Sequence, residues 1–238
     1  MEFSAPLQTG RLIRRYKRFL ADITLDTGEE ITAHCANPGS MMGIAIEGAK
    51  VWVSKSTNKA RKFPYSWEMV EVDETLVPIN TSNPNKIGAE AIAAGMVPAL
   101  NDYQSIQREV KYGENSRIDL LLTEGSDTKP CYVEIKNVHL MRSPGLAEFP
   151  DSVTARGAKH LGELARMAET GARAVMLFIV QRMDCQEFSV AADIDQKYAA
   201  AFQAALDAGV ETMCYDCAIT TTHVELRKEL PIRPIALL

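Results

Sequence analysis

Two neighbouring stretches, Ser116-Arg-Ile-Asp-Leu-Leu-Leu-Thr123 and Cys131-Tyr-Val-Glu-Ile-Lys-Asn-Val138, indicate both the fold and its chemistry. Both are rich in residues that favour strands, and a turn separates them, so they predict a pair of adjacent strands. Asp119 interrupts the apolar residues of the first strand. Glu134 and Lys136 lie two residues apart in the second strand, so they project from the same face. Pairing of the two strands would bring Asp119 and Glu134 together beside Lys136.

This combination of residues predicts a metal-dependent reaction site. Two convergent carboxylates suit a hard divalent cation such as Mg²⁺ or Mn²⁺, which takes oxygen ligands and keeps waters for a substrate phosphate. Asp119 and Glu134 are the predicted metal ligands. Lys136 is placed to orient or deprotonate the attacking water, or to neutralise charge at the phosphorus. Glu90, in a predicted upstream helix, is expected to complete the catalytic set. The alternative is an incidental ion pair on a solvated strand pair.

The chain after residue 82 alternates strands with helices. Asn83 and Pro84 are a typical N-cap and first helical residue, and they precede a helix predicted over 86–94. Apolar residues at helical spacing predict two further helices, 152–169 and 195–208. The segments predicted as strands are 106–112, 116–122, 131–138, 174–180, 211–220 and 223–227. We therefore expect an α/β domain over residues 83–238.

The first eighty residues show no helical period. Their β-rich segments are separated by Gly, Pro, Asn and Asp, which is typical of a small barrel or sandwich. The predicted strand segments are 12–25, 29–36, 49–55 and 67–79. The change of texture near residue 82 predicts two domains, 1–82 and 83–238.

Length and composition restrict the class of protein. The chain has 238 residues, of which 46% are hydrophobic and 24% charged, and this excludes disordered and fibrous architectures. The longest apolar run, 174–180, is too short to cross a bilayer. The amino-terminal residues have no basic segment leading into an apolar one, and the five cysteines indicate reduced thiols. We expect a soluble, cytoplasmic protein that does not bind membranes.

The net charge of −5 conceals an uneven distribution. Residues 1–65 carry a net charge of +4 and residues 66–238 a net charge of −9. A basic segment with interleaved Tyr16 and Phe19 is typical of a groove that binds nucleic acid. The predicted nucleic-acid contacts are Arg11, Arg14, Arg15, Lys17, Arg18, Arg61, Lys62, Lys159 and His160. The alternative is that these charges only solvate strands and a helix face.

The chemistry-bearing residues occur in the order of a known fold. They resemble the metal-dependent nuclease fold named for its PD-(D/E)xK motif, which implies a helical Glu, a strand Asp, a Glu-x-Lys strand and a following helix. Those elements would here be Glu90, Asp119, Glu134 with Lys136, and the helix predicted over 152–169. Ile118 stands where the motif's name has Pro.

Four further signatures resemble the bacterial and archaeal sugar fermentation stimulation protein A family. They are Arg14-Arg-Tyr-Lys-Arg-Phe-Leu-Ala-Asp22, His34-Cys-Ala-Asn-Pro-Gly-Ser-Met41, Phe149-Pro-Asp-Ser-Val-Thr-Ala-Arg-Gly157 and Lys159-His-Leu-Gly-Glu-Leu164. The likeness covers nearly the whole chain. It implies an OB-like amino-terminal β-barrel, a nuclease-like carboxy-terminal domain, DNA binding and a role in maltose metabolism.

Three hypotheses about function follow from these observations. The first is a DNA-binding protein, weakly sequence-selective, with a regulatory role in sugar metabolism. The second is an active Mg²⁺-dependent nuclease that hydrolyses phosphodiester bonds in DNA or RNA. The third is a non-catalytic scaffold for a protein partner, which leaves the carboxylates unexplained. The sequence does not distinguish single-stranded from double-stranded nucleic acid.

Overall fold

The first six strands form one sheet that closes into a β-barrel in the computed structural model, which describes residues 1–113, 116–126 and 129–235. They are β1 (Gln8–Tyr16), β2 (Leu20–Leu25), β3 (Glu30–Cys35), β4 (Lys50–Lys55), β5 (Tyr65–Val72) and β6 (Thr75–Pro78). The order is β3-β2-β1-β4-β5, and a parallel pairing of β3 with β5 closes a barrel of five strands. β6 continues the sheet beyond β5. Leu12, Ile23 and Trp67 belong to the apolar interior.

Two of the predicted strand segments are hairpins. Residues 12–25 contain the turn at Lys17 and Arg18, and residues 67–79 contain the turn at Asp73 and Glu74. All four turn residues have positive φ, between 49° and 63°. Two such residues in succession match the twist of antiparallel strands, but Asn and Gly usually occupy these positions. Because charged residues replace them here, the sequence contained no turn signal.

The remaining described residues form an α/β domain. Its elements are α1 (Pro84–Ala93), a 3₁₀ turn (Pro98–Leu100), β7 (Ser105–Tyr112), β8 (Ser116–Thr123), β9 (Cys131–Val138), β10 (Leu140–Ser143), β11 (Leu146–Phe149), α2 (Ala155–Glu169), β12 (Arg173–Val180), β13 (Glu187–Val190), α3 (Gln196–Asp207), β14 (Glu211–Ile219) and β15 (Val224–Glu229). The main sheet has the order β15-β14-β12-β9-β8-β7, in which β9, β12 and β14 run parallel. The predicted succession of strands and helices is confirmed.

Helices cover both faces of the main sheet. α1 lies on the face toward the barrel, where Ile87 shares one hydrophobic cluster with Trp52 of β4 and Val133 of β9. α2 and α3 cover the other face, where Leu161 and Phe202 pack around the sheet. β12 is apolar from Ala174 to Val180, as expected for a parallel strand covered on both sides. No helix of the described residues has the length and apolar character needed to span a membrane.

The structure differs from the sequence-based expectation in three details. β10, β11 and β13 form a small separate sheet that was not predicted, because four-residue strands show too little alternation. α2 begins at Ala155 rather than at residue 152, because the Thr154 side chain caps it by accepting from the Gly157 amide. Asn83 precedes α1 as expected, but its side chain makes no capping bond.

Candidate functional site

A cavity between the barrel and the α/β domain contains the predicted metal ligands. Asp119 of β8, and Glu134 and Lys136 of β9, line this cavity of about 580 Å³. Backbone pairing of β8 with β9 ends at Leu120 opposite Val133. At the next residue of β8, a side chain replaces the backbone as acceptor: the Asp119 carboxylate accepts from the Ile135 amide at 2.7 Å. The strands therefore bring the two carboxylates together at the point where their ladder ends.

Glu134 is buried at the base of the cavity with a relative exposure of 1%. Its Oε1 accepts from Lys136 Nζ at 2.7 Å and from His160 Nδ1. Its Oε2 is buried without a hydrogen-bond partner in the described part of the chain. Burial favours the neutral acid, but the His160 hydrogen bond and the Lys136 charge outweigh it, so the pKa of Glu134 is lowered. Glu134 is an anion with one oxygen free to bind a ligand.

The pKa of Asp119 is shifted upward, in the opposite direction to that of Glu134, although both carboxyls line the same cavity. Its pKa rises from 3.8 to about 6, first because the carboxyl is buried and second because the Glu134 charge lies nearby. Hydrogen bonds from the Ile135 amide and from Asn85 Nδ2, each 2.7 Å long, offset only part of this rise. A cation between the two carboxylates would remove their mutual repulsion.

α2 supplies the residues that hold Glu134 in place. Arg156 Nε donates to His160 Nε2 at 3.3 Å, so the ring proton of His160 lies on Nδ1, which donates to Glu134. His160 was predicted to contact nucleic acid. The structure instead buries it against the carboxylate, where it acts as a positioning residue. Helical spacing predicts that His160 and Arg156 share one face of α2, but it does not indicate the contact with Glu134.

Glu90 does not belong to this cavity, contrary to the sequence-based prediction. Its carboxylate accepts the Met1 amino group at 2.8 Å and lies 3.6 Å from Lys86 Nζ. It lines a separate depression together with His223. Asn85 is the residue of α1 that reaches Asp119. Five residues turn a helix by about 140°, so Glu90 faces away from the side that Asn85 presents.

The basic residues of β1 and its turn have several different roles. Arg15 Nη2 donates to the carbonyl oxygens of Arg18, Asn37 and Gly39 at 2.9–3.0 Å, so its guanidinium holds a loop. Arg14 pairs with Asp22 at 2.9 Å. Arg14 is exposed, as are Arg11, Lys17 and Arg18, and Arg18 lines the cavity.

The remaining predicted nucleic-acid contacts lie apart from the carboxylates. Arg61 donates to Ser66 Oγ at 3.2 Å, and Lys62 Nζ lies 5.5 Å from the centre of the Phe63 ring. Both residues are exposed, but neither lines the cavity. Lys159 is also outside it, with Nζ 3.7 Å from the Glu163 carboxylate.

The loop 37–41 joins the OB-like barrel to the α/β domain through Asp151. The Met41 amide donates to Asp151 Oδ2 at 3.0 Å, and Ser40 Oγ donates to the Asp151 carbonyl at 2.6 Å. A Cβ at Gly39 would lie 2.5 Å from Asp151 Oδ2, so glycine permits this approach. Burial raises the pKa of Asp151, but nearby His139 and the Met41 amide lower it to about 2. Asn37-Pro38-Gly39 is typical of a turn, but a turn motif does not indicate which distant segment the loop contacts.

The protein side chains alone do not complete a metal centre. Among residues 1–113, 116–126 and 129–235, no three His, Cys, Asp or Glu side chains gather closely enough to hold an ion. Asp119 and Glu134 are the two cavity carboxylates best placed to act as metal ligands. A cation bound there would keep positions for water or for a phosphate oxygen.

Comparison with known proteins identifies the family. A model described as the sugar fermentation stimulation protein RE domain matches residues 82–223, and one described as the SfsA N-terminal OB domain matches residues 13–79. The chain belongs to the sugar fermentation stimulation protein family. The barrel is therefore an OB domain, as predicted, and an α/β domain follows it.

Relatives match this family member over nearly their full length. The sugar fermentation stimulation protein homolog of Rhodospirillum centenum is 56% identical over 230 residues, covering 97% of this chain and 98% of the relative. The Maricaulis maris homolog is 52% identical over 232 residues, covering 98% of both. A solved structure of Pyrococcus furiosus SfsA in complex with Ca²⁺ has a TM-score of 0.88 and 28% identity, with 98% of each chain covered.

Proposed function

We propose that this protein binds DNA, with weak sequence selectivity, along a path from the OB domain into the cavity. The observation that carries this proposal is that Arg18 of the OB domain lines the same cavity as Glu134 and Lys136. Exposed Arg and Lys side chains contact backbone phosphates, which carry no sequence information. Arg11, Lys17 and Arg18 are the contacts that we assign to the OB domain, and Arg61 and Lys62 extend them.

We further propose that a divalent cation, Mg²⁺ or Mn²⁺, binds at Asp119 and Glu134. The donor set fits this group, because Glu134 Oε2 is a buried carboxylate oxygen without a protein partner. Burial and, second to it, the nearby Glu134 charge raise the pKa of Asp119, and a cation at this place would offset the repulsion between the two carboxylates. The Pyrococcus furiosus relative was solved with Ca²⁺, another hard cation that takes oxygen ligands.

Hydrolysis of a phosphodiester is a second candidate function, favoured by the placement of Lys136. Its ammonium lies 2.7 Å from Glu134 Oε1, so it faces the same space as the carboxylates. There it can orient a water molecule or neutralise charge on a phosphate oxygen. His160 and Arg156 keep Glu134 oriented during this step. The cation, when bound, would polarise the phosphate and lower the pKa of a bound water.

Incubation with labelled nucleic acids separates these functions. We expect unrelated single- and double-stranded DNA to bind in EDTA, and RNA serves as the test of DNA preference. Cleavage that requires Mg²⁺ or Mn²⁺ and disappears in Lys136→Ala supports the nuclease function. Absence of both binding and cleavage contradicts both proposals and favours a scaffold for a protein partner.

Calorimetry tests the metal site independently of any activity. We expect Mn²⁺ to bind the wild-type protein and to lose at least about tenfold in affinity in Glu134→Gln. Glu90→Gln is the matched control, because Glu90 belongs to the depression with the Met1 amino group. Equal affinity in all three proteins would remove Glu134 from the proposed ligands. A role in maltose metabolism and a cytoplasmic location both remain predictions.

A further inference from the structure

The first turn of α2 forms part of the cavity wall. Residues 152–156 line the cavity, and α2 is 15 residues long. The first amides of a helix lack partners within the helix. Here Thr154 satisfies one of them, because its Oγ1 accepts from the Gly157 amide, and the Ala158 amide begins the helical bonding by donating to the Thr154 carbonyl. The amides of Ala155 and Arg156 remain at the positive end of the helix dipole.

Two guanidinium groups reach the same cavity from different domains. Arg156 is exposed, and its Nε bond to His160 leaves both Nη groups available. Within the described residues no carboxylate lies within ion-pair distance of it. Arg18, across the cavity on the OB domain, uses one Nη2 contact to the Pro38 carbonyl at 3.1 Å. Arginine presents paired donors that match phosphate oxygens.

Polar atoms in the cavity wall independently indicate that a ligand belongs there. His139 Nε2 is buried without a hydrogen-bond partner among the described residues, whereas the unpartnered Glu134 Oε2 belongs to the proposed cation site. His139 has a relative exposure of 5%, and its Nε2 lies 3.6 Å from Asp151 Oδ2. Buried polar atoms of this kind are normally satisfied by a ligand or by water.

We propose that Arg156, the first amides of α2 and Arg18 form a phosphate-binding subsite. It would hold the backbone phosphate next to the one that faces Asp119 and Glu134. This inference rests on the proposed function and deepens it, because it places the nucleic-acid strand between the two domains. The subsite takes a phosphodiester, and inorganic phosphate serves as its simplest probe.

Negative charges in the cavity set the strength of this subsite. Asp151 is anionic, and its Oδ2 accepts from the Met41 amide while its Oδ1 accepts from Ser152 Oγ. Asp119 and Glu134 add further negative charge on the sheet side. Two arginines and a helix N-terminus are therefore needed to hold an anion. Inorganic phosphate should bind weakly without metal and more tightly as salt is removed.

Backbone amide NMR with inorganic phosphate in EDTA and low salt tests the subsite. We expect phosphate to shift the Ala155 and Arg156 amides of the wild-type protein. Arg156→Gln and Arg18→Gln should each weaken phosphate binding by about tenfold, because each removes a charge-assisted bond. Arg108→Gln is the control, since Arg108 is exposed, lies outside the cavity and gives the same change in charge. Thermal unfolding of each variant verifies that it is folded.

A short single-stranded oligonucleotide, titrated in parallel, separates this inference from the proposed function. Weaker phosphate and oligonucleotide binding in both cavity variants supports the subsite. Phosphate binding that is equal in wild type and Arg156→Gln overturns it, even if the oligonucleotide still binds. Phosphate binding as expected, with no oligonucleotide binding, overturns the proposed function and leaves the subsite as an anion site.

Discussion

Asp119 is the side chain whose ionisation depends most on what binds in the cavity. Its pKa of about 6 lies above the ordinary value of 3.8, so the folded protein retains a proton that the unfolded chain loses. Stability of the metal-free protein should therefore fall as the pH rises from 4 to 6. We expect Asp119→Asn to be more stable than wild type by about 1–3 kcal/mol at pH 8 and equal to it below pH 4.

Urea unfolding in EDTA at pH 4 and pH 8 measures this difference. At pH 8, adding Mn²⁺ should raise the free energy of unfolding of the wild type but not that of Asp119→Asn. The difference in stability between the two proteins should then become smaller. An identical pH dependence in the two proteins would contradict the raised pKa.

Replacing Arg15 should lower the free energy of unfolding more than replacing its exposed neighbours. Its guanidinium donates to several carbonyl oxygens of the loop before Met41. We expect Arg15→Gln to lower the free energy of unfolding by about 2 kcal/mol, because bonds from a charged donor are lost. Arg11→Gln, at an exposed position, should change it by less than about 0.5 kcal/mol. Chemical denaturation measures both losses, and equal losses would contradict the assigned role of Arg15 in holding the loop.

The period of two along a strand was enough to predict that Asp119, Glu134 and Lys136 come together. It could not reveal which face of α1 turns toward them, so Glu90 was predicted where Asn85 lies. The role of His160 depends on how α2 packs on the sheet. That packing is a tertiary property, and helical spacing within α2 alone does not contain it.

At the scale of elements, the loop 37–41 fastens the OB domain to the α/β domain through Asp151. The pKa of Asp151 is about 2, below the ordinary 3.8, so its contribution to stability is present above pH 4 and is lost as the pH falls toward 2. We expect Asp151→Asn to cost about 2 kcal/mol at pH 7. The difference from wild type should disappear near pH 2.

Denaturant titrations across this pH range measure the effect. Ser152→Ala is a useful comparison, because it removes only the Ser152 Oγ bond to Asp151 and should cost less than half as much. If the difference in free energy of unfolding between Asp151→Asn and wild type is constant from pH 7 to pH 2, the carboxylate charge is not the source of the stabilisation.

Elements with a strong period were predicted best. β9 has the predicted bounds, because Val133 and Ile135 alternate with polar residues. β12 differs by one residue, because a continuous apolar run covered by helices has an unambiguous pattern. The hairpin at Lys17 and Arg18 was missed because its turn residues lack the usual composition. The small sheet of β10, β11 and β13 depends on contacts between distant segments, which no local pattern reports.

At the scale of the whole molecule, the uneven charge should determine how binding responds to salt. Replacing Arg11, Lys17 and Arg18 with Gln should weaken binding to unrelated duplexes. The slope of log K against log salt should flatten by about 2 to 3, because each phosphate contact contributes about 0.9. A control with Lys111, Lys197 and Lys228 replaced by Gln changes the net charge equally, and these residues are exposed on the α/β domain.

Titrations over a salt series compare the two triple variants. If the slope of log K against log salt is unchanged in the OB-domain variant but flatter in the control, the main contact surface lies on the α/β domain. Equal losses would mean that net charge, rather than a defined surface, governs binding.

The order of strands in the two sheets also has a consequence in time. The barrel is complete once residue 78 has been made, whereas the central sheet needs β14, which ends at Ile219. At a synthesis rate of roughly 5–20 residues per second, the ribosome adds the intervening stretch in about 7 to 28 s. During that interval a nascent chain can carry a finished OB domain with basic side chains beside a β8–β9 pair that still lacks its parallel neighbours. The proposed affinity for polyanions would thus arise on the ribosome well before the proposed cation site is complete.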